Sequence, residues 1–341
     1  NESQTTDITQ LVLGWTLSPE QEADRARYLA RAEQKSKAFR IMGRISIGGR
    51  YDTNPGRVSN SLTATIGPGF DDDHFAFTAG SRFRIEADLN NGRGDYLFFQ
   101  SRSNLSEFFE VDRADHLVGR AQAGVKLHGA RGTFAPYVSY AASFVEHESF
   151  RQDHGVGFDA ALSLSSQVSL ILKGEASRES YENNSLFTAG SQRNGDRIEG
   201  SVGLKIRPSD SLTLLVQGHW ADKDARNDGF SYDAKRASAA AYKLFGMGRY
   251  LTASVSYTRT EYEQPDGFYT INTTREDDLL RFRVATGAPL GTLFSSLDLP
   301  DGISSIVAQA GVSYYTQDSN ISQLDIDNWS YDLMLSKSYA Y

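Results

Sequence analysis

The stretch "HLVGRAQAGVKLHG" (116–129) alternates two chemistries with a period of two residues. Leu117, Gly119, Ala121, Ala123, Val125 and Leu127 share one face. Arg120, Gln122, Lys126 and His128 share the other, with Val118 and Gly124 among them. A period of two is that of a β-strand whose faces meet different surroundings. One face carries no charge, and the other carries long charged side chains along its whole length. The pattern recurs almost everywhere after residue 40. In "RIMGRISIGGRY" (40–51), Ile41, Gly43, Ile45, Ile47, Gly49 and Tyr51 oppose Met42, Arg44, Ser46, Gly48 and Arg50. In "FAFTAGSRFRIEAD" (75–88), Phe75, Phe77, Ala79, Phe83, Ile85 and Ala87 oppose Thr78, Arg82, Arg84, Glu86 and Asp88. "VGFDAALSLS" (156–165) and "IEGSVGLKIR" (198–207) divide in the same way.

About 14 such segments follow one another, each near ten residues, the length a tilted strand needs to cross a bilayer. Their approximate bounds are 40–53, 74–89, 95–107, 116–128, 132–147, 154–165, 167–181, 194–207, 211–224, 233–245, 249–263, 275–288, 304–316 and 328–341. The connectors alternate too. Those after odd-numbered strands are longer and acidic, with Asp71, Asp72 and Asp73 in the first and Glu107, Glu110, Asp112 and Asp115 in the second. Those after even-numbered strands are mostly short ("NNGRG", "GARG", "SSQ", "RPSD", "FGMG"), with 289–303 as an exception. Short turns at one end and long loops at the other are the asymmetry of an outer-membrane barrel. A soluble β-sandwich also alternates. Against it stand the Gly and Ala on the apolar faces, the charge along the polar faces, and aromatic residues near strand ends. The last are Tyr51, Phe75, Tyr96, Tyr181, Trp220, Tyr250, Trp329, Tyr339 and Tyr341, where an interfacial girdle is expected.

Composition bounds the function. The 341 residues contain no cysteine, which removes disulfides and thiolate metal sites. A formal net charge of −8 argues against a nucleic-acid partner. Mean hydropathy is −0.45, and no apolar run approaches the roughly 18–20 residues of a membrane-spanning helix. The chain opens on Asn1 with no charged and apolar leader, as expected of a mature chain whose signal peptide has been removed. From Ser18, a candidate N-cap, Pro19 and Gln21 begin a helical stretch. The expected organisation is a periplasmic segment with one helix over 1–39 and an all-β, 14-stranded antiparallel transmembrane barrel over 40–341.

With the apolar face on lipid, the charged face lines a lumen. The inward bases on this phase are Arg44, Arg50, Arg82, Arg84, Arg120, Lys126, Lys173, Lys205, Lys243, Arg281 and Arg283. The inward acids are Glu86, Asp88, Asp159, Glu175, Glu199 and Asp332. Such a set either favours anions by its field or forms a cross-strand ion-pair lattice, and the lattice is the preferred reading because neighbouring strands bring charges to pairing distance. The acidic loops read as solvated, or as bridged through divalent cations to lipopolysaccharide phosphates. Catalytic constellations are poor. His147 and His154 flank an acidic stretch with Glu146, Glu148 and Asp153, without the spacing of a metal site. "DIDNWSYDLMLS" (325–336) begins like a calcium loop but has no glycine at its sixth position and Ser336 at its twelfth. Asp112, Asp115 and His116 near a strand end have no identifiable catalytic partner. No enzyme activity, cofactor or metal is expected.

"GRISIGGRYDTNPG" (43–56) resembles the first strand and loop of the barrel in surface lipoprotein assembly modifier proteins, which end that strand in Tyr-Asp-Ser-Asn; here Tyr51, Asp52 and Asn54 match and Thr53 replaces the serine. "DSNISQLDIDNWSYDLMLSKSYAY" (318–341) resembles the family's ending, in which Ser-Asn-Ile precedes the last strand; here these are Ser319, Asn320 and Ile321. The resemblance implies a bacterial outer-membrane barrel, both termini periplasmic, in contact with lipid and lipopolysaccharide. It implies export or surface display of a protein partner. A passive diffusion channel and a structural anchor for an extracellular assembly are the alternatives. Export needs a lumen or a lateral gate between the first and last strands. Gly43, Gly48 and Gly49 could weaken pairing at that seam, since glycine adds no packing to a strand.

Overall fold

The computed structural model describes residues 38–54, 73–109, 115–183, 190–265 and 272–341. The helix read from Ser18 onward, and Asp71, Asp72, Glu110 and Asp112, lie outside these. The described chain forms β1 (Phe39–Asp52), β2 (His74–Asp88), β3 (Tyr96–Phe108), β4 (His116–Gly129), β5 (Gly132–Val145), β6 (Glu148–Ser163) and β7 (Val168–Tyr181). It continues as β8 (Gly195–Ser209), β9 (Leu212–Ala225), β10 (Tyr232–Leu244), β11 (Tyr250–Tyr262), β12 (Glu276–Pro289), β13 (Val307–Ser319) and β14 (Ile326–Ala340). Between β12 and β13 lie two single-turn helices, α1 (Leu290–Leu293) and α2 (Asp301–Ser304). Each strand pairs antiparallel with its sequence neighbours, and β1 closes onto β14 with a register from Met42↔Ala340 to Asp52↔Ser330. Closure leaves no unpaired edge, the condition for strands in hydrocarbon.

Register fixes the faces. Ile45, Ile47, Val138, Val156, Val202 and Leu333 stand exposed on the outside, between 50% and 62% accessible. The outer surface therefore has the apolar band that lipid requires. Tyr51, Phe75, Trp220, Trp329, Tyr339 and Tyr341 share this outer face; the Tyr51 ring lies 4.9 Å from Phe75, and that of Trp329 4.7 Å from Tyr314. Three residues assigned to the girdle do not belong to it. Tyr96, Tyr181 and Tyr250 are inward and 2–5% exposed, because they fall in register with inward positions: Tyr96 opposite Asp88, Tyr181 opposite Arg151, Tyr250 opposite Gly287. Position near a strand end does not determine the face; parity does.

The connectors bear out the alternation with one departure. β5 and β6 are joined at the long-loop end by a two-residue turn, Glu146–His147, both with positive φ (50° and 63°), the geometry of a tight hairpin. The stretch 148–153 is thus strand, not loop. His154 points outward, its ring 5.0 Å from Tyr140, so His147 and His154 do not flank an acidic loop. A bulge near Ser143/Phe144 turns the Phe150 ring inward onto Val145 and Tyr181. At the opposite end the 89–95 turn is tied down by Asp95, whose carboxylate accepts from the His128 amide at 2.6 Å and from Asn91 at 2.7 Å. These two bonds hold its carboxyl below the ordinary range.

Candidate functional site

The inner wall carries three polar arrangements. The deepest lies on β6–β10 toward the long-loop end. Glu179 on β7 is 0% exposed. It receives Arg151 Nη2 at 2.6 Å, Lys223 Nζ at 2.9 Å, the Tyr181 hydroxyl at 3.2 Å and Arg197 Nη1 at 3.5 Å. Arg151 grips Asp153 with two bonds of 2.6 and 2.7 Å, and Arg197 pairs with Glu199. The Tyr181 ring is bracketed by cations, Lys223 Nζ at 4.6 Å and the Arg151 guanidinium at 5.4 Å. Register explains the assembly: Asp153 is opposite Glu179, Arg151 opposite Tyr181, and Arg197 opposite Lys223. Charged groups with this little exposure face other side chains rather than an open water channel, so this side of the lumen is filled. Burial of this kind is tolerated only because each charge has partners.

The second arrangement lies at mid-height. Arg120 pairs with Glu175, which also accepts from Tyr137 at 3.0 Å and Ser139 at 2.9 Å. Lys173 lies 3.9 Å from Asp159, and His219 Nε2 3.9 Å from Glu199. Arg120, Tyr137, Asp159, Lys173, Glu175, Glu199 and His219 line one open recess. On β1–β3, Arg84 bonds Glu86 at 2.8 Å and Gln100 at 2.5 Å, while Arg40 reaches Glu86 at 3.7 Å and Asp88 at 3.9 Å. Across the barrel Arg283 holds Asp332 with bonds of 2.5 and 2.9 Å, and the Arg281 guanidinium sits 4.9 Å from the Tyr315 ring centre. Lys126 stands opposite Tyr96 and Lys205 opposite Ser169 on the inward face.

Lys243 does not belong to this wall. The β10 register pairs it with Leu212 and Leu251, on the face shared with Ala237, Ala239 and Ala241, which is the outer one. Its ammonium reaches the Ser211 hydroxyl in the adjacent turn at 2.9 Å. The inward base of this strand is Arg236, whose Nε bonds Thr258 at 2.8 Å. The small residues of 237–241, Ser238 among four alanines, give no alternation from which to count the phase.

The third arrangement is at the seam. Asp52, 1% exposed, forms an ion pair with Arg50 (Nε to Oδ2, 2.6 Å) and accepts from Asn328 Nδ2 at 3.2 Å and from the Ser330 hydroxyl. Asn328 in turn accepts from the Asn54 amide at 3.0 Å and the Thr53 hydroxyl at 3.3 Å. Thr53 and Trp329 exchange bonds, the Thr53 amide to the Trp329 carbonyl at 3.0 Å and the Trp329 amide to Thr53 Oγ1 at 2.9 Å. The Tyr51 hydroxyl meets Asp73. Residues 51–54 therefore clasp β1 to β14 at the long-loop end. Ser319, Asn320 and Ile321 form a second tie: the Asn320 side chain accepts from the Glu276 amide at 3.0 Å and donates to the Thr274 carbonyl at 2.8 Å, with Ile321 buried behind it. The seam glycines are seats for neighbours. The Tyr339 ring lies across Gly43, and Gly48 is packed on the Leu333 carbonyl and the Met334 side chain.

The buried cluster of Arg151, Asp153, Glu179, Tyr181, Arg197 and Lys223 was not singled out from the sequence. Its available signal was the alternation of 151 with 153 and of 197 with 199, which continues once β6 is begun at Glu148.

A family model described as "Surface lipoprotein assembly modifier" matches residues 80–286. No curated protein matches the chain. Among solved structures, the fold is similar to OccAB3 of Acinetobacter baumannii, with 9% identity and a TM-score of 0.44 over 89% of this chain and 99% of that one. It is similar to OmpTdeltaL8, a loop-deletion mutant of an outer-membrane protein of Vibrio cholerae, with 10% identity and a TM-score of 0.45 over 89% and 100%. It is also similar to OpdQ of Pseudomonas aeruginosa, with 10% identity and a TM-score of 0.42 over 89% and 99%.

Proposed function

This chain belongs to the surface lipoprotein assembly modifier family and is a bacterial outer-membrane β-barrel, and from that premise we propose that it moves a protein partner, a lipoprotein, to the outer surface of the cell. The family match carries the reading. The filled side of the lumen supports it: a wall with Glu179 at 0% and Arg151 at 2% exposure narrows the passage and suits a wide diffusion pore poorly. The even number of strands sets both ends of the barrel at the short-turn end, which in this reading is periplasmic, with residues 1–39 beside the barrel mouth. The long loops and the Asp52 clasp then lie at the outer surface, with lipid and lipopolysaccharide around them. The partner leaves either along the lumen or between β1 and β14, where the clasp is the part that must release.

Surface and secretome proteomics on a deletion strain and its complemented parent test the proposal. Selective loss of one or a few lipoproteins from the surface, restored by complementation, is the expected result. An unchanged surface with altered uptake of small solutes overturns it in favour of a channel. Lost proteins that co-purify with the barrel through detergent extraction identify an anchor instead. The route is tested with Ser46→Cys and Ser336→Cys, directly opposite in the seam of a chain that has no other cysteine. Oxidation should stop display and reduction restore it; display unaffected by the crosslink removes the seam from the mechanism.

A further inference from the structure

Two connectors at the short-turn end differ from the others in chemistry. The β2–β3, β4–β5 and β8–β9 turns carry charge there, with Arg93 and Asp95, Arg131, and Asp210, and the β6–β7 turn is rich in serine. The β10–β11 turn (245–248) and the first part of the β12–β13 connector (289–297) carry no charge. They present Phe245, Met247, Leu293, Phe294 and Leu297, followed by Ile303 on α2, and these six are 46–69% exposed. The two pieces form one surface. The Thr292 hydroxyl donates to the Met247 carbonyl at 2.8 Å, and the Pro289 ring lies on Gly248. The Leu290 amide donates to the Ile306 carbonyl at 2.7 Å and closes the connector at its base. The tip of the shorter turn passes through Met247 and Gly248, both at positive φ (62° and 76°). The surface borders the outer side of the wall. Extended backbone (φ −111°, ψ 170°) carries β10 on to Phe245, which keeps the outer parity of Ala241 and Lys243. Lys337 stands opposite Ile45 on the outer face, in parity with Leu333 and Leu335, and its ammonium meets the Gly302 carbonyl of α2.

We propose that the 245–248 turn and the 289–304 connector insert into the leaflet at this end of the barrel, with phospholipid acyl chains covering the patch. A contiguous exposed apolar patch rimmed by polar residues marks a contact site, and here Ser295, Ser296, Asp298 and Asp301 supply the rim. Continuity identifies the occupant. The patch extends the lipid-facing band of Leu333, Leu335 and Leu251, and it lies on the side of the barrel that carries Tyr339 and Tyr341. An in-plane apolar element of this kind sits about 5–10 Å into the boundary between headgroups and acyl chains. The barrel is thereby anchored unevenly, more deeply on β10–β14, the side that ends at the seam with β1. The insertion holds whichever side of the membrane this end faces and whatever the barrel moves.

The test uses single cysteines in the full chain, which has none of its own. Met247→Cys, Leu293→Cys and Leu297→Cys are each labelled with bimane and reconstituted in nanodiscs of phosphatidylethanolamine and phosphatidylglycerol holding one barrel each. Arg93→Cys in the charged β2–β3 turn is the water-exposed control, and Val202→Cys, on the outer face and 52% exposed, is the lipid control. Heat-modifiable gel migration confirms that each variant is folded, and the three positions stand in for one another if one does not fold. The three labels should emit to the blue of the Arg93→Cys label. Lipids carrying a doxyl group near the headgroup end of the acyl chain should quench them, and aqueous iodide should quench them about fivefold less than the control. Red emission with iodide quenching equal to that at Arg93→Cys overturns the proposal, because the patch then faces water. Shielding from iodide without quenching by the doxyl lipid also overturns it, because protein rather than lipid then covers the patch.

Discussion

Asp52→Ala is the sharpest probe of the clasp that closes the barrel. The carboxylate is 1% exposed, pairs with Arg50 of its own strand at 2.6 Å and accepts from two donors of β14, Asn328 at 3.2 Å and the Ser330 hydroxyl. Removing it deletes the ion pair and one bond of Asn328, which is 4% exposed and keeps its bond to Ser330 Oγ at 3.3 Å. The Arg50 side chain keeps 22% of its surface accessible, so water recovers part of its loss. Breaking a fully buried pair costs about 3–5 kcal/mol, and a lost neutral hydrogen bond about 1 kcal/mol; with the discount for Arg50, the sum comes to about 3 kcal/mol. That is a change of about 100-fold in the folding equilibrium. The assay is the urea concentration at which half of the purified protein loses its heat-modifiable migration, read against Asp88→Ala, whose side chain is 30% exposed and lies 3.9 Å from its partner. Asp88→Ala should cost under about 1 kcal/mol. Asp52→Asn, which keeps an acceptor, should fall between. Equal midpoints for Asp52→Ala and Asp88→Ala would refute the reasoning, because the clasp would then contribute no more than a surface pair.

Glu179→Gln leaves Arg151, Arg197 and Lys223 buried without their shared anion and should cost about 3–5 kcal/mol in the same urea assay; a loss under about 1 kcal/mol would mean that water reaches the cluster. Tyr181→Phe keeps the ring beside its two cations and loses the hydroxyl's bond to Glu179 and the long one it accepts from Lys223 Nζ at 3.4 Å, for an expected cost of about 1–2 kcal/mol. The two seam glycines should separate. Gly48→Ala drives a Cβ onto the Leu333 carbonyl of the paired backbone, whereas Gly43→Ala meets the Tyr339 ring, which can swing away; Gly48→Ala should therefore be the more destabilising, and the reverse order in thermal melting would show that the seam yields as backbone. Asp95 has a folded value below its unfolded one, so its contribution is present above the unfolded value, near pH 4, and is lost as pH falls through the folded one. Asp95→Asn should flatten the acid limb of the stability profile below about pH 4, and a limb as steep as in the parent chain assigns that slope to other carboxylates.

The barrel was legible because lipid imposes its demand on every second residue. Ile45, Ile47, Phe75 and Leu333 announce the outer face without reference to any neighbour, and a strand that obeys this rule fixes its inner face by parity alone. Where neighbouring residues are small or amphipathic, the rule is faint and parity is ambiguous. The alanines at 237–241 serve either face, and Lys243 was placed inside although register puts it outside. Tyr96, Tyr181 and Tyr250 were placed by their nearness to strand ends, yet tyrosine suits an interfacial belt and a buried polar cluster equally well, since its ring and hydroxyl satisfy both. Strand ends are a further gap: beginning β6 at 154 hid Arg151 and Asp153 in a loop, and with them the group that gathers around Glu179. That group was beyond the sequence for a deeper reason. Parity says that Glu179, Arg197 and Lys223 face inward, but which inward charges meet depends on the stagger of each pair around the closed sheet, and stagger is set by turns and bulges such as Glu146–His147 and Phe150. A row of four inward arginines paired across β1–β4 is the same effect in reverse. Arg44, Arg82, Arg102 and Arg120 are spread over four segments, and only the stagger makes them one line; Arg102 looked like one polar residue among "QSRSN" until pairing put an arginine on each side of it.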